Sequence, residues 1–299
     1  MKKHTLNLLA VSLLLASASI TQAQMSTTNP LFMDNNAYFS KLENAANEII
    51  SQKGFLTPEA AQQQLMNTVD KKVDIKSKKI YKRLLSAEKI AILAKESTLI
   101  VGDAYLCGSC SNTHVNAASG YTIDESGIVV TNHHVMAAYA EGKVKKLSLQ
   151  VMTVDGRVYP VTEILSCSKE RDLAIIKVDT KGDKLKALPL GHDAPLGSDV
   201  YVMSNPNRML FYFSKGIVAR NYLKKSDNGD TASFPEMEIT ADYAAGSSGA
   251  PVLDNKGNLV GTVSTTSSIY YHPNEQKDLQ MVVKGTKPVI LLKELLNFK

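Results

Sequence analysis

Charge of one sign is scarce in this chain of 299 residues: 34 Lys and Arg stand against 29 Asp and Glu, a formal +5. Part of that surplus is Lys2 and Lys3 at the very start. So mild a balance argues against a protein that grips nucleic acid or an anionic membrane surface by charge. Long hydrophobic runs are also missing, and the apolar stretch Leu6 to Ile20 is too short to span a bilayer. Cysteine is nearly absent, with only Cys107, Cys110 and Cys167, so this is no disulfide-dense scaffold. There is no internal repeat and no low-complexity tract. What remains is globular in composition, 44% hydrophobic and 21% charged, with ample chain to bury a core.

The first residues read as a leader. Met1-Lys2-Lys3-His4 is basic, Leu6 to Ile20 is apolar, and Thr21-Gln22-Ala23 ends on a small residue. Cleavage before Gln24 gives a signal peptide of residues 1–23; cleavage after Ala18 is the alternative. No cysteine stands at the cleavage site, which argues against a lipid anchor. The expected product is secreted or periplasmic. In an oxidising space Cys107 and Cys110 could bridge, or either could pair with Cys167, and the odd count leaves one thiol over. Nothing around Cys107-Gly108-Ser109-Cys110 resembles the strand–CxxC–helix of redox proteins. Zinc would need a further ligand such as His114, and the spacing gives that no support. No metal and no cofactor is expected.

Residues 24–96 read as a helical extension. Tyr38, Leu42, Ala45, Ala46, Ile49 and Ile50 recur at helical spacing, and Gly54 closes that run. Thr57-Pro58-Glu59 opens a second helix, with Thr57 as N-cap and Pro58 at the first position. A third run spans Ile75, Ile80, Leu84, Leu85, Ile90, Ala91 and Leu93, with Lys71 to Lys82 on a solvated face. Pro-segment, oligomerisation arm and structural extension all remain open for it.

After Ser97 short β-branched runs take over, among them Thr98 to Val101, Ala117 to Ile123, Ile128 to Val130, Leu147 to Val154 and Leu173 to Val178. Punctuated by Asp124-Glu125-Ser126-Gly127 and Asp155-Gly156, they indicate an all-β sandwich or barrel. Thr286 to Phe298 reads as a closing helix. Ala245-Gly246-Ser247-Ser248-Gly249-Ala250-Pro251 is a tight loop of small residues where backbone can approach a ligand. Upstream, Thr131-Asn132-His133-His134-Val135 ends one strand and Glu170-Arg171-Asp172 precedes another. A serine hydroxyl needs a base to take its proton, and that base needs a partner to fix its tautomer. His, Asp and Ser in this order, each at a strand end, suit that chemistry.

On these motifs the region 97–299 resembles the trypsin/chymotrypsin-fold serine proteases, particularly the bacterial HtrA/Deg-like and secreted trypsin-like peptidases. They carry T-N-x-H-V, D-[IL]-A-[VIL]-[IL]-K and G-x-S-G-[GA]-P; this chain has Thr131 to Val135, Asp172 to Lys177 and Gly246 to Pro251. Gly197 to Val202 with Asn205-Pro206, Lys215 to Val218 and Leu259 to Ser264 support the match. The resemblance implies a double six-stranded barrel with a C-terminal helix, preceded by the helical extension. It implies a serine endopeptidase acting on proteins or peptides, with His134 as base, Asp172 orienting it and Ser248 as nucleophile. Gly246 and Ser248 would supply the oxyanion hole. Asp242, Val263, Ser264 and Thr265 would bind substrate, Asp242 sitting where trypsin-like members place the acid that favours Lys or Arg.

Two departures matter. Digestive members have an Asp before the nucleophile that binds the newly cut N-terminus; here Ser247 stands there, so activation is expected not to use that ion pair. HtrA/Deg proteins usually continue into PDZ domains, which are not expected here, and cage assembly is not expected with them. The helical extension remains available as an oligomerisation surface. The rival reading is a catalytically silent barrel that binds partners through that extension.

Overall fold

A computed structural model describes residues 31–142, 144–225 and 232–299; the expected leader, residues 1–23, lies outside them. The chain separates into two compact units, Met1–Asp34 and Asn35–Lys299, and every element below lies in the second.

Helix α1 (Asn35–Gln52) buries Phe39, Leu42, Ala46 and Ile49, the stripe that its sequence periodicity marks. It stops where Lys53 and Gly54 turn to φ 62° and 81°. Helix α2 (Pro58–Asn67) starts on the expected cap, the Thr57 hydroxyl accepting from the Ala60 amide at 3.2 Å. The expected third helix then fails over its first half. Val73–Ile75 is a strand, β1, and regular helix returns only with α3 (Ala87–Ser97), capped by Ser86. Long-range partners take the amides a helix would have used. Lys76 N donates to Asp124 Oδ2 (2.8 Å) and Tyr81 N to Asn258 Oδ1 (2.7 Å), while Leu85 N donates to Asn255 O (3.0 Å). Tertiary hydrogen bonds here override a helical apolar pattern.

Helix α3 runs directly into β2 (Thr98–Leu106), followed by β3 (Thr113–Asp124), β4 (Ile128–Thr131), helix α4 (His133–Ala140), β5 (Lys145–Met152), β6 (Val158–Ser168) and β7 (Leu173–Val178). These strands close into a barrel in the order β2-β3-β4-β7-β6-β5. Leu99, Val129, Val151 and Ile176 share one buried cluster with Met136 and Tyr139 of α4 and with Leu56 and Leu65 of the extension. The Tyr139 hydroxyl donates to Leu56 O at 2.6 Å.

A second closed barrel, ordered β10-β13-β12-β11-β8-β9, is built from β8 (Asp199–Ser204), β9 (Tyr212–Lys225), β10 (Ser233–Ile239), β11 (Pro251–Leu253), β12 (Leu259–His272) and β13 (Lys277–Pro288). The closing helix is far shorter than expected: α5 covers only Val289–Lys293. Thr286 to Pro288 belong to β13, where the Thr286 hydroxyl is tied to Met237 O (2.7 Å). Leu296–Phe298 forms β14, which pairs in parallel with β1, Val73 opposite Leu296. An apolar run cannot by itself distinguish a buried strand from a helix. The extension therefore touches both barrels: α1 and α2 pack on the first, and α3 reaches β8 and β11 of the second.

All three cysteines are free thiols. Cys167 is buried, its Sγ donating to Leu65 O at 3.2 Å. Cys107 and Cys110 sit at the tip of the β2–β3 hairpin. Hydrogen bonds from Ser109, and then from Cys110, pull the Cys107 thiol down to about 6. Among the described residues no helix is long and apolar enough to cross a membrane.

Candidate active site

Strand register brings the first two site residues together. Thr131 of β4 lies opposite Ala174 of β7, so the start of α4 faces the turn that leads into β7. That turn is locked: Asp172 adopts φ 48°, a left-handed conformation that Asp tolerates. Its carbonyl accepts from Asn132 Nδ2 at 2.8 Å. The Asp172 carboxylate lies 2.9 and 3.0 Å from His134 Nδ1 and accepts the His134 amide at 3.1 Å. The Ser264 hydroxyl donates to Asp172 Oδ2 at 2.5 Å. Burial alone would raise the Asp172 carboxyl, but the His134 ring, the Ser264 hydroxyl and the His134 amide outweigh it and hold the group below the usual carboxylate range. An ionised carboxylate can only accept, so Nδ1 carries the imidazole proton and Nε2 is left with a lone pair.

His133 lines the same hollow as this pair but makes no hydrogen bond to Asp172 among the described residues. Burial lowers its pKa, with Asp172 opposing and Lys169 assisting, so the ring is neutral near pH 7.

The loop from Gly246 to Ala250 is shaped by the seam between the barrels. Gly246 has φ 96°, and a Cβ there would lie 2.5 Å from Asn205 O. Gly249 has φ 84°, and its Cβ would lie 2.3 Å from Ser119 O. Only glycine fits either place. Amides of Ser247, Gly249 and Ala250 donate to Ala244 O, Val263 O and Ser247 O. Those of Gly246 and Ser248 donate to no backbone carbonyl of the described residues, which leaves two N–H groups for an incoming oxygen. Ser247 is buried, its hydroxyl 3.0 Å from Ser204 Oγ and accepting from Ala244 N at 3.3 Å. A neutral hydrogen bond thus holds the position where an ion pair would need a charge.

Two hollows meet at His134. One of about 160 Å³ is lined by His134, Val135, Ala117, Gly246 and Ser248. The other, about 920 Å³, is lined by His134, Asp172, Ser264, Thr265 and Thr266 and by Leu65 and Met66 of α2. The structure thus brings together His134, Asp172, Ser248, Gly246, Ser264 and Thr265.

It does not bring Asp242 there. That side chain is 80% exposed, 3.8 Å from Lys284 Nζ, and lines a different hollow with Glu238 and Met281. A residue that faces solvent cannot form the floor of a specificity pocket. Val263 is buried in the core of the second barrel, its N–H donating to Ala250 O and its C=O accepting from Gly249 N. That backbone braces the loop.

Sequence reading missed three contributors. Ser119 Oγ donates to Gly246 O (2.9 Å) and accepts from the Asn205 amide (3.0 Å). Asn205 Nδ2 reaches Leu99 O and Ala118 O at 3.2 and 3.3 Å. Met66 walls the larger hollow. Asn205-Pro206 was visible as a motif without a role; Ser119 and Met66 carry no signal in the sequence.

Residues 118–261 match the model of the trypsin-like peptidase domain. Protease Do-like 5, chloroplastic, from Arabidopsis thaliana is 30% identical over 154 residues, 50% of this chain and 47% of that protein. Serine protease HTRA3 of Homo sapiens is 28% identical over 54% of this chain and 36% of its own length. Putative serine protease HhoA of Synechocystis sp. is 30% identical over 48% and 35%. The match therefore spans less than half the length of each of these relatives. Among solved structures, the crystal structure of Deg5 superposes with a TM-score of 0.52 at 19% identity, over 69% of this chain and 90% of that one. Residues 118–261 are thus similar to a trypsin-like peptidase domain, and the fold is trypsin-like. More narrowly, the sequence is similar to those of HtrA/Deg serine proteases.

Proposed function

We propose that the protein is an exported serine endopeptidase that cleaves proteins or peptides through an acyl-enzyme. The observation that carries this reading is His134, held by Asp172 through Nδ1 and sharing a cavity with Ser248 and Gly246. Ser248 Oγ attacks the substrate carbonyl as His134 Nε2 takes its proton. The negative oxygen of the tetrahedral intermediate is met by the Gly246 and Ser248 amides. His134 then returns the proton to the leaving amine, and water, activated by the same ring, releases the acid product. The larger hollow along Ser264 to Thr266 takes the chain on the acyl side. Nothing in the setting of Asp242 supports a preference for Lys or Arg.

In the same proposal residues 1–23 are the leader, 24–96 the extension and 97–299 the protease unit. The extension stays with the mature enzyme, since Leu56 and Leu65 belong to the core of the first barrel. Sequencing the N-terminus of the exported protein tests the first boundary. A fluorophosphonate probe tests the chemistry: wild type is expected to label on Ser248, and Ser248→Ala and His134→Ala to lose labelling. Folded wild type that never labels would favour the catalytically silent binding protein.

A further inference from the structure

The hairpin tip between β2 and β3 holds a group of side chains that the proposed chemistry does not use. Cys107 Sγ and Cys110 Sγ are 3.4 Å apart, and His114 Nε2 lies 3.0 Å from Cys110 Sγ. One ligand atom from each of these residues falls within 4.8 Å of the others. Sequence spacing gave no reason to expect His114 here. It arrives because β3 pairs back on β2, with His114 opposite Tyr105, and its ring lies 5.7 Å from that of Tyr105 at a tilt of 39°.

We propose that Cys107, Cys110 and His114 form a binding site for one soft or borderline d10 metal ion, Zn(II) foremost, with a fourth position open to water or an external ligand. Two thiolates and an imidazole are the donors such ions select. Bonds of about 2.3 Å to sulfur and about 2.0 Å to nitrogen in a tetrahedron hold the ligand atoms about 3.5–3.8 Å apart. The present separations of 3.4 and 3.0 Å need to open by only about half an ångström. A disulfide would instead require the sulfurs to close to about 2.05 Å. Gly108, at φ 79° with no atom within 4 Å of where a Cβ would sit, gives the tip room to adjust. On binding, each thiol releases its proton to solvent and the neutral imidazole donates through Nε2. The ion would clasp the end of the hairpin. Asn116, two residues beyond His114, lines the cavity that holds Ser248.

The test uses untagged, full-length protein, reduced and stripped of metal under anaerobic conditions. Zn(II) is titrated against a chromophoric chelator, Cu(I) is titrated in parallel, and Co(II) substitution is followed by its thiolate charge-transfer absorbance. The expected result is one ion per chain. His114→Ala and Cys110→Ser should each weaken it by at least the 10–100-fold that loss of a mere supporting group costs. Cys167→Ser, where it folds, should bind as wild type does, and circular dichroism should show the hairpin-tip variants folded, since the tip carries no core residue. Three outcomes would overturn the proposal: no more metal retained than by a Cys107→Ser/Cys110→Ser double variant, undiminished affinity in His114→Ala, or a Cys107–Cys110 disulfide in protein isolated without reductant. Tighter Cu(I) than Zn(II) binding at the same three residues would support the site and assign it to the softer ion.

Discussion

Replacing Asp172 by Asn isolates the orienting role proposed for that carboxylate. In the wild type Oδ1 accepts the His134 amide at 3.1 Å, while Oδ2 lies 2.9 Å from Nδ1 and accepts the Ser264 hydroxyl at 2.5 Å. A backbone N–H can only donate, so it pins the single oxygen of Asn at the Oδ1 place. The amide nitrogen then sits where Oδ2 was, beside Nδ1, and donates to it; Ser264 rotates to accept. With Nδ1 accepting from that nitrogen, His134 carries its proton on Nε2 and cannot take another. The volume and the hydrogen-bond count barely change, so the melting temperature should move by a few degrees at most. Turnover should fall by about ten-thousand-fold, as a wrong tautomer costs in such triads, or about 5.4 kcal/mol at 1.36 kcal/mol per factor of ten. Steady-state kinetics on a fluorogenic peptide, with the fluorophosphonate labelling rate alongside, measures this. A folded Asp172→Asn enzyme within tenfold of wild type would refute the assigned role.

Three further outcomes follow from the same geometry. Gly246→Ala should abolish labelling and cost about 1–3 kcal/mol of stability, because its methyl would lie 2.5 Å from Asn205 O at φ 96°; labelling at the wild-type rate counts against the oxyanion assignment. Leu65→Ala, although it lies in the extension, should cost about 2–5 kcal/mol in urea unfolding, since Leu65 packs in the cluster of the first barrel; no measurable cost would mean that the extension is a loose appendage. For Asp124, burial tends to raise the carboxyl, but the Lys76 and Ser126 amides outweigh it and the pKa is lowered. Its contribution is therefore present above the unfolded value of about 3.9 and lost as pH falls through the lower folded value. Asp124→Asn should melt below wild type at pH 7, with the gap closing toward pH 3 in a melting series; a gap that stays constant with pH would contradict the sign.

What the sequence made legible was local. Thr57 as a cap, the buried stripe of α1 and the strand before His133 follow from neighbours within a few residues. The candidate site residues stand out in the sequence for a related reason: His134, Asp172 and the Gly246 loop each sit under short-range backbone demands. Asp172 needs a tight turn just before a buried strand, and Gly246 and Gly249 need positive φ. Where the outcome depended on distant chain, the pattern misled. Ile75 and Leu296 lie on apolar runs that scan as helix, yet they end up in the paired strands β1 and β14. Asp242 occupies the right offset from Ser248, but an offset along the chain does not determine which way a side chain points in a loop.

The seam between the barrels explains why three separate motifs converge. His134 and Asp172 both belong to the first barrel. Ser264, Gly246 and Ser248 belong to the second. Contacts that cross the seam include Ser264 to Asp172, Tyr121 to Thr262 at 2.7 Å, Asn205 to Ser119, Leu99 and Ala118, and Ser119 to Gly246 and Ser248. Ser119 is the pivot of these. Its single hydroxyl hydrogen goes to Gly246 O, and its lone pairs take the Asn205 amide and side-chain nitrogen, so the Gly246 carbonyl is anchored by a residue of the opposite barrel. Docking of the two barrels is thereby part of the site itself, and the hydroxyl that enforces it lies on β3, the strand whose outer end carries His114.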